Sequence, residues 1–221
     1  MIRFESVTKR YPLKKGKKTI LADATFDIPR GQSLGVLGVN GAGKSTFLRM
    51  ISGSELPDRG RVIRENVTIS WPLGFSDSFH GSLTGRENLR FACRVYRKSV
   101  ERTTRYVEEF SELGKHLDMP IRTYSSGMKA RLAFGLSMAF DFDVYLVDET
   151  TAVGDAKFRS KCNIVFNEKL TNSDIIMVSH SMATLKSYCT AGCLLNNGTI
   201  RFFDSINDAI VAYEEQIKEK A

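Results

Sequence analysis

The chain has 221 residues, of which 42% are hydrophobic and 26% charged, with a net charge of +7. This is the size and composition of one soluble α/β domain with a real core, and no apolar run approaches the ~20 residues that would span a bilayer. The start, Met1-Ile2-Arg3-Phe4-Glu5, lacks a basic region backed by an apolar one, so no signal peptide is expected and the chain should be cytosolic or held on the cytosolic side of a membrane by a partner.

In chain order, apolar alternation at Ile2, Phe4 and Val7 and again from Ile20 to Ile28 predicts two strands. The basic loop Lys14-Lys15-Gly16-Lys17-Lys18 joins them and reads as solvated, with a weaker reading in which it helps draw in nucleotide or anionic headgroups. It is the densest part of a positive surplus that suits acidic company such as anionic lipid, an acidic partner or nucleic acid. Tyr11 follows the first strand, where an aromatic can stack on a nucleotide base or simply pack against the loop. After the turn Pro29-Arg30-Gly31, the apolar strand Ser33 to Leu37 leads into Gly38-Val39-Asn40-Gly41-Ala42-Gly43-Lys44-Ser45-Thr46, and Phe47 to Ile51 reads as the first turns of a helix.

That stretch satisfies G-x-x-x-x-G-K-[ST] in the strand–loop–helix setting that gives the motif its meaning. Backbone N–H groups must converge on a polyphosphate, and side chains there would block it, so glycine recurs. The helix N-terminus adds partial positive charge. Lys44 is expected to reach the β- and γ-phosphates, and the Ser45 hydroxyl to ligate Mg²⁺. The alternative, a glycine-rich turn before an ordinary helix, does not account for strand, lysine and serine together. The chain is predicted to bind a nucleoside triphosphate.

A turn-rich segment, Gly53 to Gly60, precedes a predicted strand pair, Arg61 to Ile63 and Val67 to Ser70. Trp71 to Ser82 is too rich in Gly, Pro and Ser for regular structure yet unusually aromatic, which suggests a contact or functional loop. Thr84-Gly85-Arg86-Glu87 has the form of a capping box, starting a helix with Leu89, Ala92, Val95 and Tyr96 on one face. A second helix, Val100 to Leu113, completes an expected helical lobe. Another helix opens at Tyr124 to Lys129. Asp143 to Val147 reads as a buried parallel strand, with Asp148 and Glu149 at its carboxyl end, where ligands gather. Ile175 to Val178 ends similarly at Ser179-His180. A hairpin turned by Asn197-Gly198 and a helix capped by Asp204 or Ser205 close the chain. Cys93, Cys162, Cys189 and Cys193 match no zinc or redox spacing and read as buried free thiols.

A strand-end Asp after an apolar run is the expected second half of a phosphate-loop site, with Asp148 holding Mg²⁺ and Glu149 placed to polarise an attacking water. With both halves present, the whole chain resembles the nucleotide-binding subunits of ABC transporters. Ser125-Ser126-Gly127 resembles that family's signature segment, Asp148 to Asp155 resembles Walker B running into the D-loop, and His180 resembles the switch histidine. The resemblance implies a P-loop α/β fold of ABC type: a RecA-like parallel-sheet core, an antiparallel β subdomain, and a helical subdomain at about 84–140 inserted into one domain spanning 1–221. It implies Tyr11 stacking on adenine, ATP and Mg²⁺ as ligands, and a head-to-tail homodimer. In each composite site Lys44, Ser45, Asp148, Glu149 and His180 of one chain would face Ser125 and Gly127 of the other.

Three departures stand out. Ser126 replaces a glycine and Met128 a glutamine in the signature. Val153-Gly154 precedes Asp155 in the D-loop. The only glutamines are Gln32 and Gln216, so the Q-loop glutamine expected between Leu73 and Ser78 is missing. The run from Ser70 to Phe91 resembles the ATPases of Gram-negative capsular polysaccharide exporters, which implies a lipid-linked polysaccharide as cargo, two copies of a membrane permease subunit, envelope-spanning export components, and a place on the cytoplasmic face of the inner membrane. Phe75 and Phe79 would anchor the permease contact. O-antigen or teichoic-acid export is the nearest alternative. A soluble ABC ATPase acting on nucleic acid or ribosomes is the more distant one. It is disfavoured because such proteins commonly carry two cassettes or a coiled-coil insertion, so no nucleic-acid partner is expected. Glu149 and His180 argue against a non-hydrolysing switch.

Overall fold

The computed structural model describes residues 1–14, 16–73, 79–148 and 155–219. Glu149, Phe75 and the D-loop residues 150–154 lie outside these described residues. In chain order the elements are β1 (Ile2–Pro12), β2 (Lys17–Ile28), β3 (Leu34–Leu37), α1 (Lys44–Ser52), β4 (Arg59–Arg64), β5 (Ile69–Leu73), α2 (Gly85–Val95) and α3 (Val100–Ser111). Then follow α4 (Ser126–Ala139), β6 (Val144–Asp148), α5 (Ala156–Leu170), β7 (Asp174–Val178), α6 (Met182–Tyr188), β8 (Ala191–Asn196), β9 (Thr199–Phe203) and α7 (Ile206–Lys218). The chain divides into two compact units, residues 1–72, 142–149 and 173–221 in one, and 73–141 and 150–172 in the other.

The first unit holds both sheets. An antiparallel sheet runs β2-β1-β4, and a six-stranded sheet runs β5-β6-β7-β3-β8-β9. In the latter, β6, β7, β3 and β8 are mutually parallel and β9 returns antiparallel to β8. The continuous apolar runs explain the placement: all four residues of β3, the first four of β6 and the last four of β7 are buried, as strands covered on both faces require. Phe4 stacks on Phe26 at 4.5 Å and lies 5.5 Å from Phe47 of α1, so the antiparallel sheet closes over the helix behind the phosphate loop.

Two expectations for this unit are corrected. Arg61 to Ile63 and Val67 to Ser70 do not pair with each other: β4 pairs with β1, while β5 sits beside β6 in the central sheet. Side chains reinforce the backbone bonds from the Asp143 and Val144 amides to the Thr68 carbonyl: Asp143 accepts from the Thr68 amide at 2.7 Å and the Ser70 hydroxyl accepts from the Leu146 amide at 2.9 Å. In addition, Trp71-Pro72-Leu73 belongs to β5 rather than to an irregular loop. Pro72 is tolerated because β5 is an outer strand, where a missing N–H breaks no ladder.

The second unit is helical. Thr84 caps α2 by the predicted capping box with Glu87. Its buried face is Gly85, Asn88, Leu89 and Cys93, not the expected stripe through Ala92, Val95 and Tyr96, and Val95 is 59% exposed. A polar residue takes the inward position because the Asn88 side chain answers three carbonyls, those of His80, Leu83 and Thr84, and accepts from the His80 amide at 2.8 Å. Phe110 of α3 lies between Phe134 of α4 (5.9 Å) and Phe158 of α5 (5.5 Å), which unites the three helices.

Candidate functional site

The loop from Gly38 to Gly43 leaves the C-terminal end of β3 and enters α1. Gly38 and Gly43 hold φ values of +150° and +105°, a region closed to side chains. Space forbids them too: a Cβ on Gly43 would lie 2.3 Å from the Ile20 side chain, and one on Gly38 would lie 2.8 Å from the Leu195 carbonyl oxygen. Inside the loop the Ala42 amide donates to the Val39 carbonyl at 2.9 Å, and the Lys44 ammonium reaches back to the carbonyls of Gly38 (2.7 Å) and Val39 (3.3 Å). No carboxylate stands in the first turn of α1, so its N-terminal positive potential is left for an anion.

This loop borders a cleft of about 360 Å³, lined by Tyr11, Asn40, Gly41, Gly43, Lys44, Ser45, Thr46, Asp148 and His180 of the predicted site, with Lys18, Ile20 and Val178 added. Every lining residue belongs to the first unit. Parallel pairing of β3 with β7, and of β7 with β6, brings Lys44, His180 and Asp148 to the same end of one sheet from three distant parts of the sequence. A hydroxyl and a carboxylate, Ser45 and Asp148, offer the hard oxygen donors that magnesium selects, beside a loop shaped for phosphate, so the residues fit Mg²⁺ with a triphosphate.

Tyr11 lies within β1, not beyond it. Its hydroxyl donates to Glu55 and lies 3.3 Å from the Thr46 hydroxyl. Glu55 also pairs with Lys9 at 2.9 Å and Arg49 at 3.0 Å. Burial raises the Glu55 pKa, but hydrogen bonds from Tyr11, Lys9 and Arg49 outweigh it and leave the carboxyl below its ordinary range. Thr46, placed in the motif as a phosphate neighbour, is buried and also accepts from Arg49 at 3.2 Å, so its hydroxyl serves this network.

Ser125, Ser126, Gly127 and Asp155 belong to the second unit and do not line the cleft. Ser125 caps α4 by accepting from the Met128 amide at 3.2 Å, and Ser125 and Ser126 are exposed, so α4 presents an open N-terminus with its first amides unbonded within the helix. Asp155 caps α5 by accepting from the Phe158 amide at 2.9 Å, and its other oxygen accepts from Arg131 at 2.8 Å. That backbone bond, then Arg131, holds its carboxyl below the usual aspartate range. All four cysteines are free and buried, and burial pushes the thiols of Cys162 and Cys189 up to about 12.

With this geometry, the comparisons with known proteins are decisive. Residues 21–152 match the family model described as ABC transporter. The chain belongs to the ABC transporter ATPase family. It is 50% identical over 220 residues to the polysialic acid transport ATP-binding protein KpsT of Escherichia coli, covering 98% of this chain and 100% of that one. It is 48% identical to the capsule polysaccharide export ATP-binding protein CtrD of Neisseria meningitidis serogroup B (strain ATCC BAA-335 / MC58), covering 96% and 98% of the two chains. In fold, the dimeric ATP-binding cassette MJ0796, in a post-hydrolysis state bound to ADP and Pi, matches with a TM-score of 0.73 at 20% identity, covering 92% of this chain and 98% of that one. The fold is accordingly the ABC-type P-loop architecture, with a largely parallel core sheet, an antiparallel sheet and a helical portion.

Sequence reasoning missed Glu55, Ile20 and Val178, and read Lys18 as part of a solvated basic loop, with drawing in nucleotide or anionic headgroups as the weaker alternative. Lys18 lines the cleft, and a Cβ on Gly41 would lie 2.8 Å from its ammonium. The signal was available: Lys18 is two residues before Ile20, so strand alternation puts both on the face toward the phosphate loop.

Proposed function

We propose that the chain is the ATP-hydrolysing subunit of an ABC transporter that exports lipid-linked capsular polysaccharide across the inner membrane. One observation carries it: the phosphate-loop cleft brings together Lys44, Ser45, Asp148 and His180 in a chain that matches capsule-export ATPases along nearly its entire length. Lys44 binds the β- and γ-phosphates, Ser45 and Asp148 hold the metal, and Glu149 orients the attacking water. Magnesium, when bound, neutralises charge on the phosphate oxygens. His180 contacts the γ-phosphate and Tyr11 supports the adenine ring, with Gly38, Asn40, Gly41, Ala42 and Gly43 forming the anion-binding turn.

The open N-terminus of α4 suits a second anion contact. Ser125, Ser126 and Gly127 of a partner copy would close over the γ-phosphate, making two composite sites in a head-to-tail homodimer. Such contacts exist only with the dimer closed, so ATP favours closure and hydrolysis favours release. Ser126 in place of glycine and Met128 in place of glutamine predict slower turnover than in cassettes with the usual signature. Among the described residues no helix is long and apolar enough to cross a membrane, which suits a peripheral subunit at the cytoplasmic face beneath two copies of a permease. Phe79 and α2 belong to the segment that receives the permease, and envelope-spanning components take the polymer onward. No nucleic-acid partner is part of this reading.

The test is Glu149→Gln, purified with ATP from gently solubilised membranes. The expected result is retained ATP binding, trapped dimers, turnover reduced at least ~100-fold (the order of a lost catalytic group) and co-purification of a small multi-spanning protein. Unchanged turnover sinks the role of Glu149. A soluble complex carrying RNA or DNA moves the chain out of transport.

A further inference from the structure

Glu55 lies in the turn after α1, outside every phosphate-loop motif, yet its side chain is only 17% exposed and each of its oxygens is engaged. Oε1 accepts from the Tyr11 hydroxyl and from the Lys9 ammonium, and Oε2 accepts from the Arg49 guanidinium. Arg49 also donates to the Thr46 hydroxyl at 3.2 Å, and Thr46 lies 3.3 Å from the Tyr11 hydroxyl, which closes the circuit. Lys9 is further pinned by the Leu56 carbonyl at 2.9 Å, and its ammonium stands 5.2 Å from the centre of the Tyr11 ring.

The geometry has a chemical consequence. A tyrosine used only as a stacking surface needs no hydroxyl partner, and its ring turns about two side-chain bonds. Here the far end of the ring is tethered by a charge-assisted hydrogen bond to a carboxylate with two cationic partners of its own. Thr46 and Arg49 are on α1, one and four residues after Ser45. The tether therefore sets the position of the ring against the helix that carries the phosphate contacts.

We propose that Glu55 is a positioning residue for nucleoside recognition, fixing the Tyr11 ring at a set distance from the phosphate loop through Lys9, Arg49 and Thr46. This rests on the reading of the cleft as an ATP site. Glu55 does not line the cleft itself, so its proposed effect runs through the Tyr11 ring and falls on the nucleoside portion of the ligand. Tyr11→Phe keeps the stacking surface and removes only the tether.

The test compares affinity for Mg·ATP with affinity for magnesium tripolyphosphate in the intact chain, in Tyr11→Phe, in Glu55→Ala and in the double variant. Tyr11→Phe should weaken ATP binding by about 2- to 10-fold, the cost of ordering one released side chain on binding, and leave tripolyphosphate binding unchanged. The double variant should bind ATP no worse than Glu55→Ala, because both changes cut one tether. Equal loss for both ligands in Tyr11→Phe, or no loss for either, overturns the proposal. Should Glu55→Ala fail to fold, Tyr11→Phe alone still decides it. An unaltered chain that binds neither ligand refutes the ATP site itself, a different outcome from any of these.

Discussion

Arg131 donates to Asp155 at 2.8 Å, tying the helix that opens with Ser125 to the residue that caps α5. The same guanidinium reaches Glu112 at 3.4 Å and lies 4.2 Å from the centre of the Phe158 ring. The two helix N-termini of the second unit proposed to meet a partner copy are thus joined by one side chain. Arg131→Met keeps the apolar stem over Phe158 and removes both ion pairs. ATP turnover should fall several-fold while single-chain ATP affinity stays near normal, and Asp155→Asn, which still caps α5, should match it. Steady-state turnover beside equilibrium ATP binding measures both. Full turnover in both variants shows that the ion pair has no part in the cycle.

Gly43 is constrained twice, by a left-handed φ of +105° and by the Ile20 side chain, 2.3 Å from where a Cβ would stand. Gly43→Ala should cost about 1–2 kcal/mol for the backbone alone, more for the clash, and abolish ATP binding. Adding Ile20→Ala opens the space without relaxing the backbone. Thermal unfolding should therefore recover in part, and ATP affinity should stay low. Complete recovery of both means that sterics alone explain this glycine.

The Glu55 carboxyl has a lowered pKa in the folded chain, since hydrogen bonds from Tyr11, Lys9 and Arg49 exceed the opposing effect of burial. Its stabilisation is therefore complete above the ordinary glutamate range and is lost as pH falls through that range to the folded-state value. Melting temperatures of the unaltered chain and Glu55→Gln should differ by a constant amount between about pH 7 and 6 and converge on acidification below the ordinary glutamate value. A gap that is flat down to the acid transition contradicts the ion-pair account.

Lys14 and Lys18 are both exposed, but Lys18 borders the cleft from β2 while Lys14 stands in the connecting loop. Lys18→Gln should weaken ATP binding by about 2- to 5-fold at low salt, with the effect fading as ionic strength rises, and Lys14→Gln should change nothing. Calorimetric titrations at two salt concentrations separate these outcomes. Equal effects from the two lysines would assign the basic loop a general attraction for anions.

The phosphate loop, Asp148 and His180 are legible in the sequence because each stands at the end of an apolar run, and the parallel sheet gathers such ends. Glu55 is illegible for the opposite reason. Its partners Lys9, Tyr11, Arg49 and Thr46 sit on a strand and a helix whose relative register no local pattern records. α5 escapes as well: its buried positions, Phe158, Cys162 and Phe166, recur every fourth residue but are diluted by charged neighbours. Asn88 misleads about α2 because a polar residue fills a core-facing slot, and Pro72 misleads about β5 because an outer strand tolerates what an inner one does not.

β3, which delivers the phosphate loop, has β7 on one side and β8 on the other, and the Leu195 carbonyl closes the space above Gly38. A ribosome has long finished Lys44 by the time it makes these neighbours. Until Leu195 has left the exit tunnel, the nascent chain carries its phosphate motif on a strand without its full sheet. Chains truncated ahead of β8 should therefore hold every residue of that motif and still fail to retain ATP, so that an unfinished cassette consumes no nucleotide.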